Sequence, residues 1–446
     1  MSKLRLSSLI LILSLIVSPI MPETIRLVDT ASAQYGGSSG GASSGGERKK
    51  KPKTRRSQVL SKAAFNQITS AQEALAESNH DTAMNILLNM MKSDRYNPYE
   101  KGVAQQTYAY VWADKGDYAR ALKEFERALN LGVLPEQVQL DLTYNLAQLS
   151  IAEDKPKQAL RYLNRWFSKV EKPGASAYGL KAQIYLIMEN LNQAEKNVKK
   201  AIDMAETPKE SWYRILLSVF LQQERYKEAL PVLEIGVNIF PGKKVFWQQL
   251  SAVYQELGME KKAFAAQQAM HKQDMLKTSK EIVRIAQLYL YNDYPFKAAR
   301  ILDKGLKNGS IKKTSKNWEL LATSWMNSRE WKKARSPLLK AASKAKHGKL
   351  YAQLGQSYIQ DEDWKNAEKY LVKAVEKGKL EKRESNTYLV LGITQARLGK
   401  FEKAIKTFRK AGDFDDTAKD AFKWIRSLER QLADKARKEK EKQKTG

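Results

Sequence analysis

The sequence of 446 residues contains no cysteine, which excludes disulfide bonds, thiol chemistry and a lipid-acylated cysteine. Histidine is also scarce. His80, His271 and His347 are far apart, and each falls at or near a junction between predicted helices. Because metal centres need several such side chains close together, we predict neither a metal site nor a cofactor.

Motifs that identify enzymes are missing as well. The sequence has no glycine-rich phosphate loop and no H-E-x-x-H zinc motif. Apart from its two ends, the chain is occupied by the repeats described below, which leaves no stretch for an enzyme domain. We predict a non-enzymatic protein with no catalytic residue and no small-molecule substrate.

Acidic residues are strongly outnumbered by basic ones. The chain has 78 Lys and Arg against 49 Asp and Glu, which gives a formal net charge of +29. An excess of basic residues of this size usually suggests that a protein binds nucleic acid. The N-terminal segment argues for export instead, so we predict no nucleic-acid partner.

Residues 1–33 have the features of a secretory signal peptide. A basic start precedes an apolar run at 9–17 that is too short to span a bilayer, and Ala-Ser-Ala at 31–33 fits the small-x-small cleavage pattern. Cleavage after Ala33 is predicted to leave the mature protein in the periplasm. The alternative is an uncleaved N-terminal anchor, and in both cases the rest of the chain lies outside the inner membrane.

Residues 34–56 are predicted to form a disordered linker. The first part, at 35–46, is dominated by Gly and Ser and offers nothing to pack. The second part, E-R-K-K-K-P-K-T-R-R at 47–56, holds seven basic residues. A run of this kind is either simply solvated or contacts anionic lipid headgroups or another acidic envelope surface.

One sequence unit recurs through most of the chain. Its clearest copy is L-G-K-F-E-K-A-I-K-T-F-R-K-A at 398–411, and K-G-D-Y-A-R-A-L-K-E-F-E-R-A-L at 115–129 follows the same frame. Ten copies in phase follow one another at intervals of 33 to 38 residues, each centred on one alanine. These anchor alanines are Ala83, Ala121, Ala159, Ala194, Ala229, Ala263, Ala298, Ala334, Ala367 and Ala404.

The frame resembles the tetratricopeptide (TPR) repeat, whose period is about 34 residues. The resemblance implies an all-α fold, a right-handed TPR superhelix (α-solenoid) of about ten helix pairs over residues 57–411. A single pair cannot bury its apolar face alone, so neighbouring pairs stack. A capping helix at 412–432 and a charged tail at 433–446 are predicted to follow.

Three residue types have predicted roles in this packing. The small anchor residue lets the second helix of a pair approach the first closely. Pro231 and Pro337 fall inside expected second helices, where each is predicted to kink the helix or to begin it late. Aromatic side chains are predicted to fill the space between units; they are Trp112, Tyr185, Tyr254, Tyr289, Trp325 and Tyr358.

In the TPR family, the first helix of each pair lines the inner groove, where partners bind. Carrying the frame over unit by unit gives one central groove position per repeat, and five of the ten residues there are glutamine. We take six of the ten as candidate partner-binding residues, namely Gln72, Tyr110, Gln148, Gln183, Gln287 and Gln356. The other four central residues are Ser218, Ala252, Thr323 and Ile393.

The predicted groove is weakly charged. Six inward positions per unit give sixty positions with six basic and four acidic residues, so the positive charge is predicted to lie mainly on the outer helices, the loops and the ends. Amide side chains both donate and accept hydrogen bonds, so a row of glutamines can pair with an extended peptide backbone. The alternative is that Gln is simply a good helix former with an inoffensive exposed side chain.

As a whole, the chain resembles the secreted TPR proteins that accompany TonB–ExbB–ExbD systems of Gram-negative bacteria. The features that carry the resemblance are the secretory start, the Gly/Ser linker, the basic run and the stretch Q-V-L-S-K-A-A-F-N-Q-I-T-S-A-Q-E-A-L-A-E at 58–77. The resemblance implies a periplasmic adaptor that holds protein partners in its groove and assists energised uptake across the outer membrane. The alternative is an envelope-biogenesis factor that regulates peptidoglycan enzymes or outer-membrane assembly through its basic exterior. A nucleic-acid binder is a third hypothesis, which export disfavours.

Overall fold

The structure is a computed structural model that describes residues 46–48 and 59–445. The predicted signal peptide at 1–33 and its cleavage site lie outside the described residues. So does the predicted linker, apart from residues 46–48. The described chain divides into two compact units, unit 1 up to Ala263 and unit 2 from Phe264 onward.

Unit 1 consists of helices that alternate as the first and second members of successive pairs. Each helix packs against the next along the chain, from α1 to α11. The helices are α1 Lys62–Ala76, α2 His80–Lys92, α3 Pro98–Asp114, α4 Tyr118–Asn130, α5 Glu136–Ala152, α6 Pro156–Phe167, α7 Ala175–Ile187, α8 Leu191–Met204, α9 Glu210–Gln222, α10 Tyr226–Ile239, α11 Lys244–Glu256 and α12 Glu260–Lys272, within which the division falls.

Unit 2 continues the same alternation and ends with a single long helix. Here too each helix packs against the next, from α13 to α21. The helices are α13 Ser279–Tyr291, α14 Pro295–Asn308, α15 Ser315–Asn327, α16 Trp331–Lys344, α17 Lys349–Ile359, α18 Trp364–Lys377, α19 Glu384–Arg397, α20 Phe401–Gly412 and α21 Asp415–Thr445. The predicted fold class, an all-α array of ten helix pairs plus a C-terminal helix, is confirmed.

Two rows of small residues bring the helices of each pair together. All ten anchor alanines are at most 2% exposed. Twelve positions before each anchor stands a second buried residue on the first helix, and nine of these ten are Ala, Ser or Gly. At Gly392 an added Cβ would lie 2.7 Å from the ring of Phe408, and Ser251 donates a hydrogen bond to the Ala263 carbonyl at 3.1 Å. Larger side chains in these rows would push the paired helices apart.

The turn inside each pair has the same backbone conformation in all ten units. The residue five positions before the anchor alanine has a positive φ every time. Only three of the ten are glycine: Gly116, Gly258 and Gly399. The other seven are Ser78, Asp154, Glu189, Glu224, Asp293, Arg329 and Glu362.

Five of the six predicted packing aromatics lie against a cation, and within the described residues only Tyr185 does not. Tyr254, Tyr289 and Trp325 are buried, and the other three are half-buried. The Trp325 ring lies 5.0 Å from the Lys333 ammonium group, and Trp112 lies 4.5 Å from the Arg120 guanidinium carbon. The second helix of a pair therefore contributes a cation over an aromatic ring of the first.

Two second helices accommodate an internal proline. Pro231 is exposed in α10, and Pro337 is buried in α16. Both helices run through the proline without interruption and start at the usual place in their repeat, so the predicted late start does not occur. Packing on both sides holds these helices together although each proline removes one backbone N–H.

A short antiparallel ladder adds a detail that the repeat frame does not contain. Strand β1 (Gly46–Arg48) pairs with β2 (Val170–Pro173), which connects α6 to α7. Gly46–Arg48 falls inside the predicted disordered linker, and here the structure differs from that prediction. The physical reason is that the residue before a proline favours extended backbone, which leaves an unpaired edge for another strand.

The C-terminal helix covers the last repeat. Ala421, Ile425 and Leu428 of α21 are buried and pack in one apolar cluster with the residues of α20. The helix does not end near residue 432, where the predicted cap ends, but continues to Thr445.

Candidate functional site

The first helices of unit 1 form a surface of their own. Helix α1 contacts α3, and α7 contacts α9, so first helices of successive pairs are neighbours. The Asn145 side-chain amide on α5 donates a hydrogen bond to the Tyr110 hydroxyl on α3 at 3.2 Å. Polar side chains at the predicted groove positions therefore meet across adjacent repeats.

In unit 1, three of the predicted glutamines lie on this surface. Gln72 on α1, Gln148 on α5 and Gln183 on α7 are all half-buried. Each of these residues is therefore partly accessible to solvent. The role of these residues as a contact row stays a prediction.

Tyr110 differs from the glutamines because it is only 5% exposed. Its ring packs edge-on against Phe125 with centroids 4.8 Å apart. Burial raises the pKa of the hydroxyl, which also forms hydrogen bonds with Gln106 and Asn145. Tyr110 therefore organises the polar side chains of neighbouring helices and offers little surface to a partner.

In unit 2, the predicted residues are more accessible. Gln287 on α13 is exposed, and Gln356 on α17 is half-buried. Within the described part of the chain, neither amide has an intramolecular hydrogen-bond partner. Both side chains are therefore available to an incoming backbone.

The remaining central positions are less polar. Ser218 is 4% exposed, and its hydroxyl oxygen accepts a hydrogen bond from the Gln222 amide at 3.0 Å. Ala252, Thr323 and Ile393 are half-buried. The exposed amide in the Ser218 repeat is thus Gln222, one turn further along the same helix.

Charge separates the two kinds of helix. The ten first helices (odd-numbered, α1 to α19) together carry ten basic and ten acidic residues. The ten second helices (even-numbered, α2 to α20) carry 31 basic and 12 acidic residues, a net charge of +19. The first-helix surface is therefore neutral overall, and the second helices carry most of the excess positive charge.

Clusters of metal ligands and surface cavities are two other features on which a functional site can be built. No three or more His, Cys, Asp or Glu side chains within the described residues are grouped closely enough to hold a metal ion. A depression of about 470 Å³ in unit 2 is lined by residues that include Gln268, His271 and Tyr289. Burial lowers the pKa of His271, which keeps its imidazole neutral at pH 7.

None of the helices in the described ranges 46–48 and 59–445 combines the length and the apolar character that a bilayer-spanning helix requires.

Comparison with known proteins identifies the repeat. The family model for the tetratricopeptide repeat matches residues 175–208, 348–376 and 385–414. No curated protein shows significant sequence similarity.

Several solved repeat structures are similar to this chain. A tetratricopeptide repeat protein from Parabacteroides merdae ATCC 43184 is 14% identical, over 67% of this chain and 99% of that one, with a TM-score of 0.38. MamA is 18% identical, over 37% of this chain and 93% of its own, with a TM-score of 0.33. YrrB, described as a TPR protein with an unusual peptide-binding site, is 21% identical, over 41% of this chain and 91% of its own, with a TM-score of 0.32. The three matched segments of this chain are tetratricopeptide repeats, set in a longer array of helix pairs.

Proposed function

We propose that this protein is a non-enzymatic scaffold that binds an extended segment of a protein partner along its first helices. The observation that carries the proposal is the separation of charge. The first helices are neutral overall and expose amides, while the second helices carry +19. A neutral surface with paired donors and acceptors suits a peptide backbone, which presents both along its length.

We further propose that the scaffold works in the periplasm as an accessory of a TonB-type energy-transducing system. The support for this narrower function is the signal-peptide pattern at 1–33 and the resemblance of the N-terminal region described above. TonB-system components are then the partners held along the first helices.

A second candidate function is an envelope-biogenesis factor that acts through its basic exterior. The observation that favours it is the excess of 31 basic over 12 acidic residues on the second helices. The partner is then an anionic surface of the envelope and not a peptide.

Site-specific photo-crosslinking in cells tests the scaffold proposal. Crosslinkers replace Gln148, Gln287 and Gln356 on first helices, with Lys199 and Lys369 on second helices as controls. We expect the first-helix sites alone to capture one common set of proteins, and TonB-system components among them support the narrower function. Equal capture from the control sites would contradict the proposal.

The salt dependence of capture provides an independent reading when cell extracts are brought to each salt concentration before irradiation, because the crosslink itself is covalent. Hydrogen bonds from neutral amides are only weakly screened, so raising salt from about 0.1 M to about 1 M should leave capture at Gln148 nearly unchanged. Loss of capture over that range would instead favour the basic exterior.

A further inference from the structure

The basic residues of the second helices in unit 2 follow the repeat. Two and six positions after each anchor alanine, helices α14, α16, α18 and α20 provide eight equivalent positions. Seven are basic, none is acidic, and all eight are exposed. We call the seven the outer basic array; they are Arg300, Lys304, Lys340, Lys369, Lys373, Lys406 and Lys410, with Ser336 as the eighth residue.

The fold makes only limited use of the charge of the array, since four of its lysines lie over aromatic rings, namely Lys340, Lys369, Lys373 and Lys410. Within the described residues, none of the seven is in an ion pair. Nearby carboxylates pair with other cations instead, as Asp303 does with Lys307 at 2.6 Å and Asp361 with Arg335 at 2.6 Å. The acidic side chains of this surface therefore leave the array unneutralised.

The spacing within each helix is unfavourable for folding. Positions two and six are four residues apart, so their side chains are neighbours on one helix face. Like charges at this spacing repel, yet three of the four helices carry a basic pair there. On α14 the basic pair of Arg300 and Lys304 lies over no ring within the described residues, so cation–π contacts do not offset its repulsion, which indicates an external partner.

Unit 1 independently shows the same pattern of exposed basic residues two and six positions after the anchor alanine. At the equivalent positions, α4, α6 and α8 provide six basic residues out of six, and all are exposed. They are Lys123, Arg127, Arg161, Arg165, Lys196 and Lys200. The feature stops at α10, where Pro231 and Ile235 occupy the two positions. Recurrence in seven of ten repeats argues against a chance cluster.

We infer that the outer basic array of unit 2 binds the anionic phospholipid surface of a membrane. This inference deepens the second candidate function and rests on its basic exterior. Each of four second helices of unit 2 provides two positions of the array, so the charge is spread over several helices, which suits a charged surface better than a single line of charge. Six of the seven residues are lysine, a compact point charge that attracts anionic headgroups without the bidentate geometry of arginine.

The chemistry of the array makes a nucleic acid or another linear polyanion a poorer fit. None of the eight positions is aromatic, whereas proteins that bind single strands combine a positive groove with stacking rings. Several ammonium groups already lie over rings of the fold, as Lys340 does over Trp318 at 4.2 Å. Those rings are covered and offer no stacking surface.

Vesicle co-sedimentation of the full chain tests the inference. We expect the protein to sediment with vesicles of phosphatidylethanolamine and phosphatidylglycerol but not with vesicles of phosphatidylcholine. The test variant changes one residue of the array on each helix: Lys304→Gln, Lys340→Gln, Lys373→Gln and Lys410→Gln. Since one basic residue near an anionic membrane contributes about fivefold in affinity, this variant should bind at least a hundredfold more weakly.

A matched control changes the net charge equally outside the array. Its substitutions are Lys312→Gln, Lys313→Gln, Lys346→Gln and Lys382→Gln, all at exposed positions in connections between helix pairs. The control should keep most of the binding. Equal loss in both variants overturns the inference, because binding then follows net charge alone.

Three further outcomes separate this inference from the function on which it rests. If the protein does not sediment with either kind of vesicle but sediments with peptidoglycan sacculi, the membrane inference is wrong and the second candidate function is supported. If soluble polyphosphate at equal phosphate concentration binds more tightly than phosphatidylglycerol vesicles, a linear polyanion replaces the membrane. If none of these partners binds, both the inference and the second candidate function fail.

Discussion

The turn inside each helix pair requires a positive φ at one position, but the residue there is glycine in only three of the ten repeats. Gly399 has a φ of +73° and nothing within 4 Å of an added Cβ, so Gly399→Ala changes only backbone strain. Because left-handed backbone is unfavourable for residues with a Cβ, we expect this variant to be less stable by about 1 kcal/mol. Chemical denaturation followed by circular dichroism measures the loss.

The reciprocal substitution is available in the preceding repeat. Glu362 has a φ of +56° at the equivalent position, so Glu362→Gly should be stabilising. The gain should be similar in size to the loss at Gly399, because relief of backbone strain and the greater flexibility of an unfolded chain with glycine oppose each other in both substitutions. Glu362→Gln controls for the removed charge and should change little. A loss of stability in Glu362→Gly would contradict the role given to this turn.

Glu100 links the start of the array to the next repeat through its carboxylate. It is 2% exposed and accepts hydrogen bonds from the backbone N–H groups of Ser61 at 2.8 Å and Asn97 at 2.9 Å. Burial alone raises its pKa, but these hydrogen bonds outweigh burial and hold the pKa of Glu100 below its usual value. Glu100→Gln should therefore lower the free energy of unfolding by about 1.5–3 kcal/mol at pH 7.

The same substitution should change the pH dependence of stability. A carboxyl group whose pKa is lower in the folded state stabilises the fold fully above its unfolded pKa of about 4.3. The contribution is lost as the pH falls through the folded pKa, so the gap between wild type and Glu100→Gln should narrow below about pH 4. Denaturation midpoints measured from pH 3 to pH 7 provide the check, and a constant gap would argue against an ionised Glu100.

At the scale of the helix, the two internal prolines should respond differently to replacement. Pro231→Ala restores a backbone hydrogen bond in α10 at an exposed site, so we expect a gain of up to about 3 kcal/mol. Pro337→Ala makes the same backbone gain in α16 but removes a buried ring and leaves a cavity. Its net gain should be clearly smaller. Thermal unfolding of the two variants compares them, and equal shifts would mean that the Pro337 ring does not contribute to packing.

The elements were predictable from the sequence to the extent that they repeat. The anchor alanines fixed the second helices, and the distribution of charge between the two kinds of helix followed from the same frame. What did not repeat was not predictable. The pairing of Gly46–Arg48 with Val170–Pro173 joins segments more than a hundred residues apart, and neither segment has a strand pattern.

The candidate site shows the same limit. The frame placed the glutamines correctly on first helices, but it did not distinguish Gln287, which is exposed, from Tyr110, which is buried against Phe125. Exposure at a groove position depends on the residues packed beside it in neighbouring repeats. The left-handed turn was recognisable only where glycine marked it, because in seven repeats the surrounding fold imposes it on other residues.

At the scale of the molecule, the net charge of +29 should make stability depend on salt. Mutual repulsion among the basic residues opposes the compact state, and salt screens it as the Debye length falls from about 30 Å at 0.01 M to about 8 Å at 0.15 M. Screening also weakens the exposed ion pairs, but each of these contributes only about 0–1 kcal/mol. We therefore expect the temperature of half-maximal helix loss to rise over this range of salt.

The outer basic array should account for part of the rise in unfolding temperature with salt. An array variant with Arg300→Gln and Lys406→Gln removes a repelling partner from two like-charged pairs, on α14 and α20, at positions that lie over no aromatic ring within the described residues. It should unfold at a higher temperature than wild type at low salt and should gain less from added salt. A control variant with Lys312→Gln and Lys346→Gln, between helix pairs, should stay closer to wild type. If the array variant is destabilised at low salt, these two basic residues stabilise the fold, and the argument that they serve an external partner loses its physical basis.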